Sequence, residues 1–181
     1  MLPNSRFPLL VHRGGIVDGG ADAVLRRFRS NGWYNNWRYP GIYTYPHFHS
    51  TTHECLGVAT GWMEVELFGR GGKRLRVETG DVIVMPAGVS HGMVARSDDV
   101  LMVGGYPDGR DWDNMHEDQL TEELRRAAVK RIMMCPIPMK DPVTGEAIKE
   151  WIDAPSSVDA DLNEFRDDLD RAPNVHATTE G

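Results

Sequence analysis

This chain has few cysteines, no long apolar run and no surplus of basic residues. Neither of its two cysteines lies in a Cys-x-x-Cys motif, so we expect buried, reduced thiols in a cytoplasmic protein. No apolar stretch approaches the roughly 20 residues of a membrane-spanning helix, and the first residues lack a signal-peptide pattern, so no membrane partner is expected. With 20 Lys and Arg against 27 Asp and Glu, the net charge of −7 argues against a nucleic-acid partner.

Glycine and proline are frequent instead, with 19 and 11 residues, as expected for many tight turns between short strands. Trp62–Leu67 and Arg74–Glu78 both alternate in polarity around a Gly-Gly pair, which predicts a hairpin with one buried face. Residues 82–85 form an apolar run between turns, typical of a strand buried on both sides. With further strands predicted at His91–Arg96 and Val100–Tyr106, the pattern indicates a mainly all-β barrel or sandwich.

The segments that flank these strands have other patterns. Phe7–Arg13 is predicted to be an extended arm, Ala21–Ser30 a short helix, and Trp33–Tyr39 an irregular aromatic segment. His116–Ile132 has apolar residues at helical spacing, which predicts a second helix.

The length and the charge distribution predict one domain with an appendage. We expect a single domain over residues 1–155, with a core barrel at about 41–106 and a helical or extended extension over 107–155. Residues 156–181 hold seven acidic side chains and two arginines, a net charge of −5, and are predicted to be an acidic tail with one weak amphipathic helix.

One short stretch and a later histidine hold the side chains best suited to bind a metal. In a strand, His47 and His49 point to the same side with Cα atoms about 6–7 Å apart, so their imidazoles could converge on one ion. On an uninterrupted strand, Glu54 would point to the face opposite His47 and His49. A turn or bulge within Ser50–His53 would bring its carboxylate to their side from the next strand. His91 follows a Gly-Asp turn, a buried strand and a Pro-x-Gly turn, which could return it to the same depth. Such donors suit iron(II), manganese, nickel, copper, zinc or cobalt.

Two segments resemble the two sequence motifs of the cupin superfamily. The first consists of Gly41, five residues, His47-x-His49, four residues, Glu54, six residues and Gly61. The second consists of Gly80, five residues, Pro86-x-Gly88, two residues and His91, with Ala95 where an Asn usually closes the motif. Segments further along the chain resemble a subgroup of small bacterial one-domain cupins that has no firmly assigned reaction.

The resemblance implies a double-stranded β-helix, also called a jelly-roll barrel, here with a short N-terminal helix and a helical C-terminal extension. It also implies that His47, His49, Glu54 and His91 bind one divalent transition metal, such as iron, manganese, nickel or zinc, inside the barrel. In an octahedral ion these four ligands leave two positions open, whereas a closed tetrahedral zinc site would leave none and be structural.

These features predict a metal-dependent enzyme that acts on a small metabolite, with dioxygenase-like or isomerase-like or lyase-like chemistry. A non-catalytic, metal-containing sensor or small-molecule binding protein is the alternative. Tyr45 shares the parity of His47 and could donate a hydrogen bond to an oxygen atom at the metal, although aromatic packing would also explain it. His53, next to Glu54, could move protons or orient the site. We also expect a homodimer, for which the apolar arm at Phe7–Val11 offers a contact surface.

Overall fold

The structure is a computed structural model that describes residues 2–154, so the predicted helix of the acidic tail lies outside the described residues. Its ten strands are β1 (Leu10–His12), β2 (Trp33–Tyr39), β3 (His47–Phe48), β4 (Glu54–Thr60), β5 (Trp62–Leu67), β6 (Lys73–Glu78), β7 (Val82–Met85), β8 (His91–Arg96), β9 (Leu101–Pro107) and β10 (Met115–His116). Its helices are α1 (Gly20–Ser30), α2 (Glu122–Met134) and α3 (Lys149–Ile152), with a short 3-10 turn at Glu117–Gln119.

The strands form two five-stranded antiparallel sheets with the orders β1-β7-β4-β9-β2 and β10-β3-β8-β5-β6. Both sheets contribute to one buried cluster, in which Leu56 and Met102 of the first sheet pack with Met63 and Val65 of the second. This arrangement is the double-stranded β-helix that the motifs predicted.

The alternating pattern of the sequence explains the hairpin at the edge of the second sheet. Met63, Val65 and Leu67 are fully buried in the core, while the Glu residues between them are only partly buried. β5 pairs with β6, so the predicted hairpin is confirmed. Its acidic and basic residues lie opposite one another, as in the pair Glu64 and Arg76.

The outer face of the first sheet is covered, which explains why β7 is apolar on both sides. Ile83 and Met85 face the interior cluster, whereas Val82 and Val84 pack in a second cluster against the N-terminal arm, α1 and the region of α3. Gly57 on β4 allows α1 to approach, because a Cβ there would lie 2.5 Å from a Val24 methyl.

The N-terminal arm is part of this second cluster. β1 pairs with β7 of the same chain, and Phe7, Leu9 and Leu10 are buried. Leu9 and Val11 belong to the interior cluster, whereas Phe7 and Leu10 belong to the second cluster, so the apolar side chains of the arm are buried within one chain. The homodimer, and the part of this arm in it, stay a prediction.

Two boundary predictions were wrong. Trp33–Tyr39, predicted to be irregular, is strand β2 paired with β9, and a shift of register between Tyr34 and Trp37 hides its alternation. The helix that was predicted from His116 begins only at Glu122, since His116 belongs to β10. The hydroxyl of Thr121 caps this helix by accepting a hydrogen bond from the Leu124 amide at 3.2 Å.

Both cysteines, Cys55 and Cys135, are buried free thiols, as predicted. Within residues 2–154, no helix has the length and apolar character needed to cross a bilayer.

Candidate metal centre

The fold brings together the four side chains that the motifs singled out. His47 on β3 lies directly opposite His91 on β8, His49 follows two residues after His47, and Glu54 begins β4 in the other sheet. The bend over residues 50–53 separates β3 from β4 and resets the parity of Glu54, as the sequence required. All four side chains are buried.

Their donor atoms converge. One ring nitrogen from each of His47, His49 and His91 lies within 4.8 Å of the others, a group that could hold a metal ion. Oε2 of Glu54 lies 3.4 Å from Nε2 of His49 and 3.4 Å from Nε2 of His91. The Glu54 carboxylate thus lies beside two of the three clustered imidazoles.

Backbone contacts orient each of the three rings. Every Nδ1 atom donates a hydrogen bond to a carbonyl oxygen, and the accepting carbonyls of His47, His49 and His91 belong to Tyr45, Asp113 and Val89. Because a carbonyl can only accept, each Nδ1 must carry a proton. When such a ring is neutral, its Nε2 atom is unprotonated and points at the cluster. This tautomer is the one that binds metals through Nε2.

The charges of the cluster also fit a cation. Burial alone would raise the pKa of Glu54, but the charge and hydrogen bond of His49 outweigh it and hold this pKa well below its usual range. In the same way, the Glu54 carboxylate raises the pKa of His49 against the effect of burial. Burial, together with repulsion from His91 and His49, lowers the pKa of His47 to about 2. A buried, ionised carboxylate beside three imidazoles has the donor set and the negative charge that suit a divalent transition metal.

A hydrogen-bonded chain behind Glu54 fixes its orientation. The hydroxyl of Tyr106 on β9 donates to Oε1 of Glu54 at 2.8 Å, and Nε1 of Trp37 on β2 donates to that hydroxyl at 3.0 Å. Burial and the charge of Glu54 raise the pKa of Tyr106, so its phenol keeps the proton that it donates. Oε1 is thereby occupied, and Oε2 is left facing the histidines.

Sequence reasoning missed Tyr106 and Trp37, although β9 contained a signal. Met102 belongs to the interior cluster, so alternation also directs Gly104 and Tyr106 inward. Gly104 is needed because a Cβ there would lie 2.0 Å from the Trp37 indole.

A second support comes from the segment after the barrel. The Asp113 carbonyl accepts the His49 hydrogen bond, and its carboxylate accepts from the Ser50 amide at 2.6 Å and the Thr51 amide at 3.2 Å. Arg131 of α2 donates to the Ser50 hydroxyl at 2.7 Å. Burial would raise the pKa of Asp113, but the hydrogen bonds from Ser50 and Thr51 lower it. The extension is thus attached to the bend that follows His49.

Tyr45 lies next to the cluster, and its side chain packs against residues of the extension. Its ring stacks on His116 with centroids 4.3 Å apart, and its hydroxyl is 3.0 Å from the Asn114 amide nitrogen, which donates to it. It also contacts His47 edge-on at 5.5 Å. Its catalytic role stays a prediction.

His53 lies on the other side of the sheet from the cluster. Its Nδ1 accepts a hydrogen bond from the Ala87 amide at 2.9 Å, and its ring packs against Phe7 and Trp151. Burial lowers the pKa of His53 to about 3, so the ring is neutral. Its side chain does not line the cavity, and its catalytic role likewise stays a prediction.

A cavity of about 490 Å³ opens beside the cluster. Trp112 and Tyr43 both line it; the centroid of the Trp112 ring lies 5.4 Å from that of His49, and the centroid of the Tyr43 ring lies 5.2 Å from that of His47. The lining consists of the four clustered side chains together with Asn35, Asn36, Trp37, Arg38, Tyr39, Gly41, Ile42, Tyr43, Tyr106 and Trp112.

Comparisons with known proteins agree with this architecture. The profile described as "Cupin domain" matches residues 39–103. The "Uncharacterized protein YjlB" of Bacillus subtilis (strain 168) is 35% identical over 141 residues, which span 77% of this chain and 81% of that protein.

Among solved structures, an acireductone dioxygenase from Bacillus anthracis with a cadmium ion in its active centre is 14% identical, with a TM-score of 0.40. That alignment covers 53% of this chain and 64% of the other. The polyketide cyclase RemF from Streptomyces resistomycificus is 21% identical, with a TM-score of 0.37, over 54% of this chain and 70% of the other. These likenesses are too distant to carry an argument about activity.

Proposed function

Since this chain belongs to the cupin family, we propose that its barrel holds one divalent transition metal and acts as a metal-dependent enzyme on a small metabolite. The observation that carries the proposal is the convergence of three histidine nitrogens within 4.8 Å of one another, with Glu54 Oε2 3.4 Å from two of them, beside a cavity. A site this buried, with every ring oriented by a backbone carbonyl, suits an ion better than solvent.

The proposed ligands are Nε2 of His47, His49 and His91 and Oε2 of Glu54. Bound iron would supply redox chemistry with dioxygen, whereas manganese, nickel or zinc would supply Lewis-acid chemistry on a carbonyl. The Glu54 carboxylate offsets part of the charge of the ion, and Tyr106 keeps that carboxylate aimed at it. Because the cluster lines a cavity, a small molecule can reach the ion from one side.

The cavity favours dioxygenase-like over isomerase-like or lyase-like chemistry. Moving a proton from carbon requires a base within hydrogen-bond reach of the substrate. Apart from the four proposed ligands, the described lining residues include no Asp, Glu, His or Lys. Tyr106 does not supply this base, because burial and the charge of Glu54 raise its pKa, so the phenol keeps its proton and donates it to Glu54.

Metal analysis of two histidine variants tests the proposed site. We expect about one equivalent of metal per chain in the wild type by elemental mass spectrometry after chelation, reloading and desalting. His91→Gln should retain less than about a tenth of that, because it removes one of four ligands. His116→Gln is the matched control, since this histidine pairs opposite His47 on β10 but is not one of the three clustered histidines. Equal metal content in the two variants would contradict the site.

Oxygen consumption tests the reaction class. The iron-loaded protein is expected to consume oxygen with a member of a panel of catechols, thiols and keto acids, and His91→Gln is expected not to. Metal binding without turnover of any panel member under iron, manganese, nickel or zinc would contradict an enzyme and favour the non-catalytic binding protein.

A further inference from the structure

The cavity beside the proposed metal centre has aromatic walls. We infer that it accepts a flat, aromatic or conjugated molecule that carries at most one negative charge and presents an oxygen-bearing edge to the histidine cluster. This inference rests on the proposed function and adds the class of ligand. The volume of about 490 Å³ lies within the roughly 300–1,000 Å³ of small-molecule sites.

Two partly exposed aromatic side chains lie against the cluster. Tyr43 is 45% exposed and meets the His47 ring edge-on, and Trp112 is 37% exposed and lies tilted against the His49 ring. Trp112 is also stacked roughly parallel to Tyr106, with centroids 6.3 Å apart and planes inclined by 21°. A flat ligand that packs against Tyr43 or Trp112 would bury ring surface that is otherwise exposed.

The polar atoms of the inner wall already have partners within the chain. Nε1 of Trp37 donates to Tyr106, and Tyr106 donates to Glu54. The Asn36 amide nitrogen donates to two carbonyls, those of Trp33 and Gly104. The inner wall therefore offers aromatic surface to a ligand, and the recognition of polar atoms is concentrated at the cluster.

Among the described lining residues, no cation is free. Arg38 is the single Lys or Arg among the described lining residues, and its guanidinium lies 2.5 Å from the Asp22 carboxylate. A divalent ion together with the Glu54 carboxylate beside it has a net charge of +1, so it can offset one negative charge of a ligand. The second charge of a phosphate or a dicarboxylate would find no free cation among the described lining residues. The charge of the cavity thus disfavours small dianions.

Binding of three probes tests the inference. Catechol has a flat ring with two adjacent oxygens, trans-1,2-cyclohexanediol has two such oxygens on a saturated ring, and oxalate is a dianion. Calorimetric titration into zinc-loaded protein is expected to show catechol binding at least tenfold more tightly than either of the other two, since aromatic contacts contribute this much. Equal or tighter binding of oxalate or of the diol would overturn the inference.

Two tryptophan variants locate the effect. Trp112→Ala is expected to weaken catechol binding about tenfold, to leave oxalate binding unchanged within twofold and to retain the wild-type zinc content. Trp62→Ala is the matched control, because this residue stacks with Arg76 outside the cavity lining and is expected to bind catechol as the wild type does. Unchanged catechol binding in Trp112→Ala would overturn the inference.

The same titrations in chelator-treated protein separate the inference from the proposed function. If the wild type holds no zinc, the proposed function fails, yet a catechol preference that Trp112→Ala removes in metal-free protein still supports the aromatic cavity. If zinc binds stoichiometrically and the three probes do not differ, the inference fails and the metal site stands.

Discussion

Replacing Tyr106 with Phe removes a single hydroxyl from the centre of the hydrogen-bonded chain behind the cluster. That hydroxyl donates to Glu54 Oε1 at 2.8 Å and accepts from Trp37 Nε1 at 3.0 Å. The ring itself remains, so the packing of β9 is kept. Without the donor, the Glu54 carboxylate can rotate, and its Oε2 atom is no longer fixed toward His49 and His91.

The structure sets the size of the effect. A hydrogen bond to a charged carboxylate contributes about 1.5–3 kcal/mol, and about 1.4 kcal/mol corresponds to a tenfold change in an equilibrium constant. Losing the partner of a metal ligand commonly costs about 10–100-fold in metal affinity. We therefore expect Tyr106→Phe to bind zinc about 10–100-fold more weakly than the wild type.

Competition against a chromophoric chelator measures this affinity, and urea unfolding of metal-free protein measures stability in parallel. Tyr43→Phe is the control, because it removes a hydroxyl from a ring that lines the same cavity and is not hydrogen-bonded to Glu54. If Tyr106→Phe binds zinc within twofold of the wild type while its unfolding free energy falls, then Tyr106 only stabilises the fold and does not orient Glu54.

Four further outcomes are expected. Burial opposes the ionisation of Asp141, but its contact with His12 at 2.8 Å lowers its pKa. The ionised carboxylate therefore stabilises the fold at pH values above the unfolded-state pKa of about 4. This contribution is lost as the pH falls through the lowered pKa of the folded state. Urea unfolding of Asp141→Asn should therefore depend less on pH below about 4 than that of the wild type, and an unchanged slope would contradict this. Gly104→Ala should displace the Trp37 indole and lower the free energy of unfolding by about 1–3 kcal/mol. A lower urea midpoint and a changed near-ultraviolet circular dichroism spectrum would show this. An unaltered spectrum would be evidence against the close contact. Trp151→Ala, at a fully buried position, should cost about 3–5 kcal/mol of unfolding free energy, and a loss below 1 kcal/mol would disprove its place in the outer cluster. Sedimentation velocity at micromolar concentration checks the predicted homodimer, which a monomer would refute.

Local patterns in the sequence were sufficient to predict most strands of the barrel. The alternation of Trp62–Leu67 has the two-residue period of a half-buried strand, and the structure has this strand with the same bounds. The polar residues at 50–53 predicted the break that lets Glu54 join His47 and His49, because parity on a strand depends only on local geometry.

The features that were missed depend on contacts between distant residues. The strand at Trp33–Tyr39 was hidden because Asn35 has a positive φ of 52° in the bulge, which interrupts the alternation. Trp112 lies in a segment with no periodicity, and the neighbouring Asp113 is held to the bend at Ser50 by hydrogen bonds that span 63 residues of sequence. No local pattern contains such a contact.

The extension is attached to the bend after His49, and it contributes to the cavity wall but not to the cluster of histidines and Glu54. The profile match ends at residue 103, yet Tyr106 and Trp112 come after it and form part of the cavity wall. The histidines and Glu54 come before β9, so we expect that the residues after β9 can be exchanged for those of a relative while the four proposed ligands are kept. Grafting this segment between relatives, with Asp113 retained as its anchor, is therefore expected to give proteins that share the proposed metal ligands but differ in the wall of the cavity.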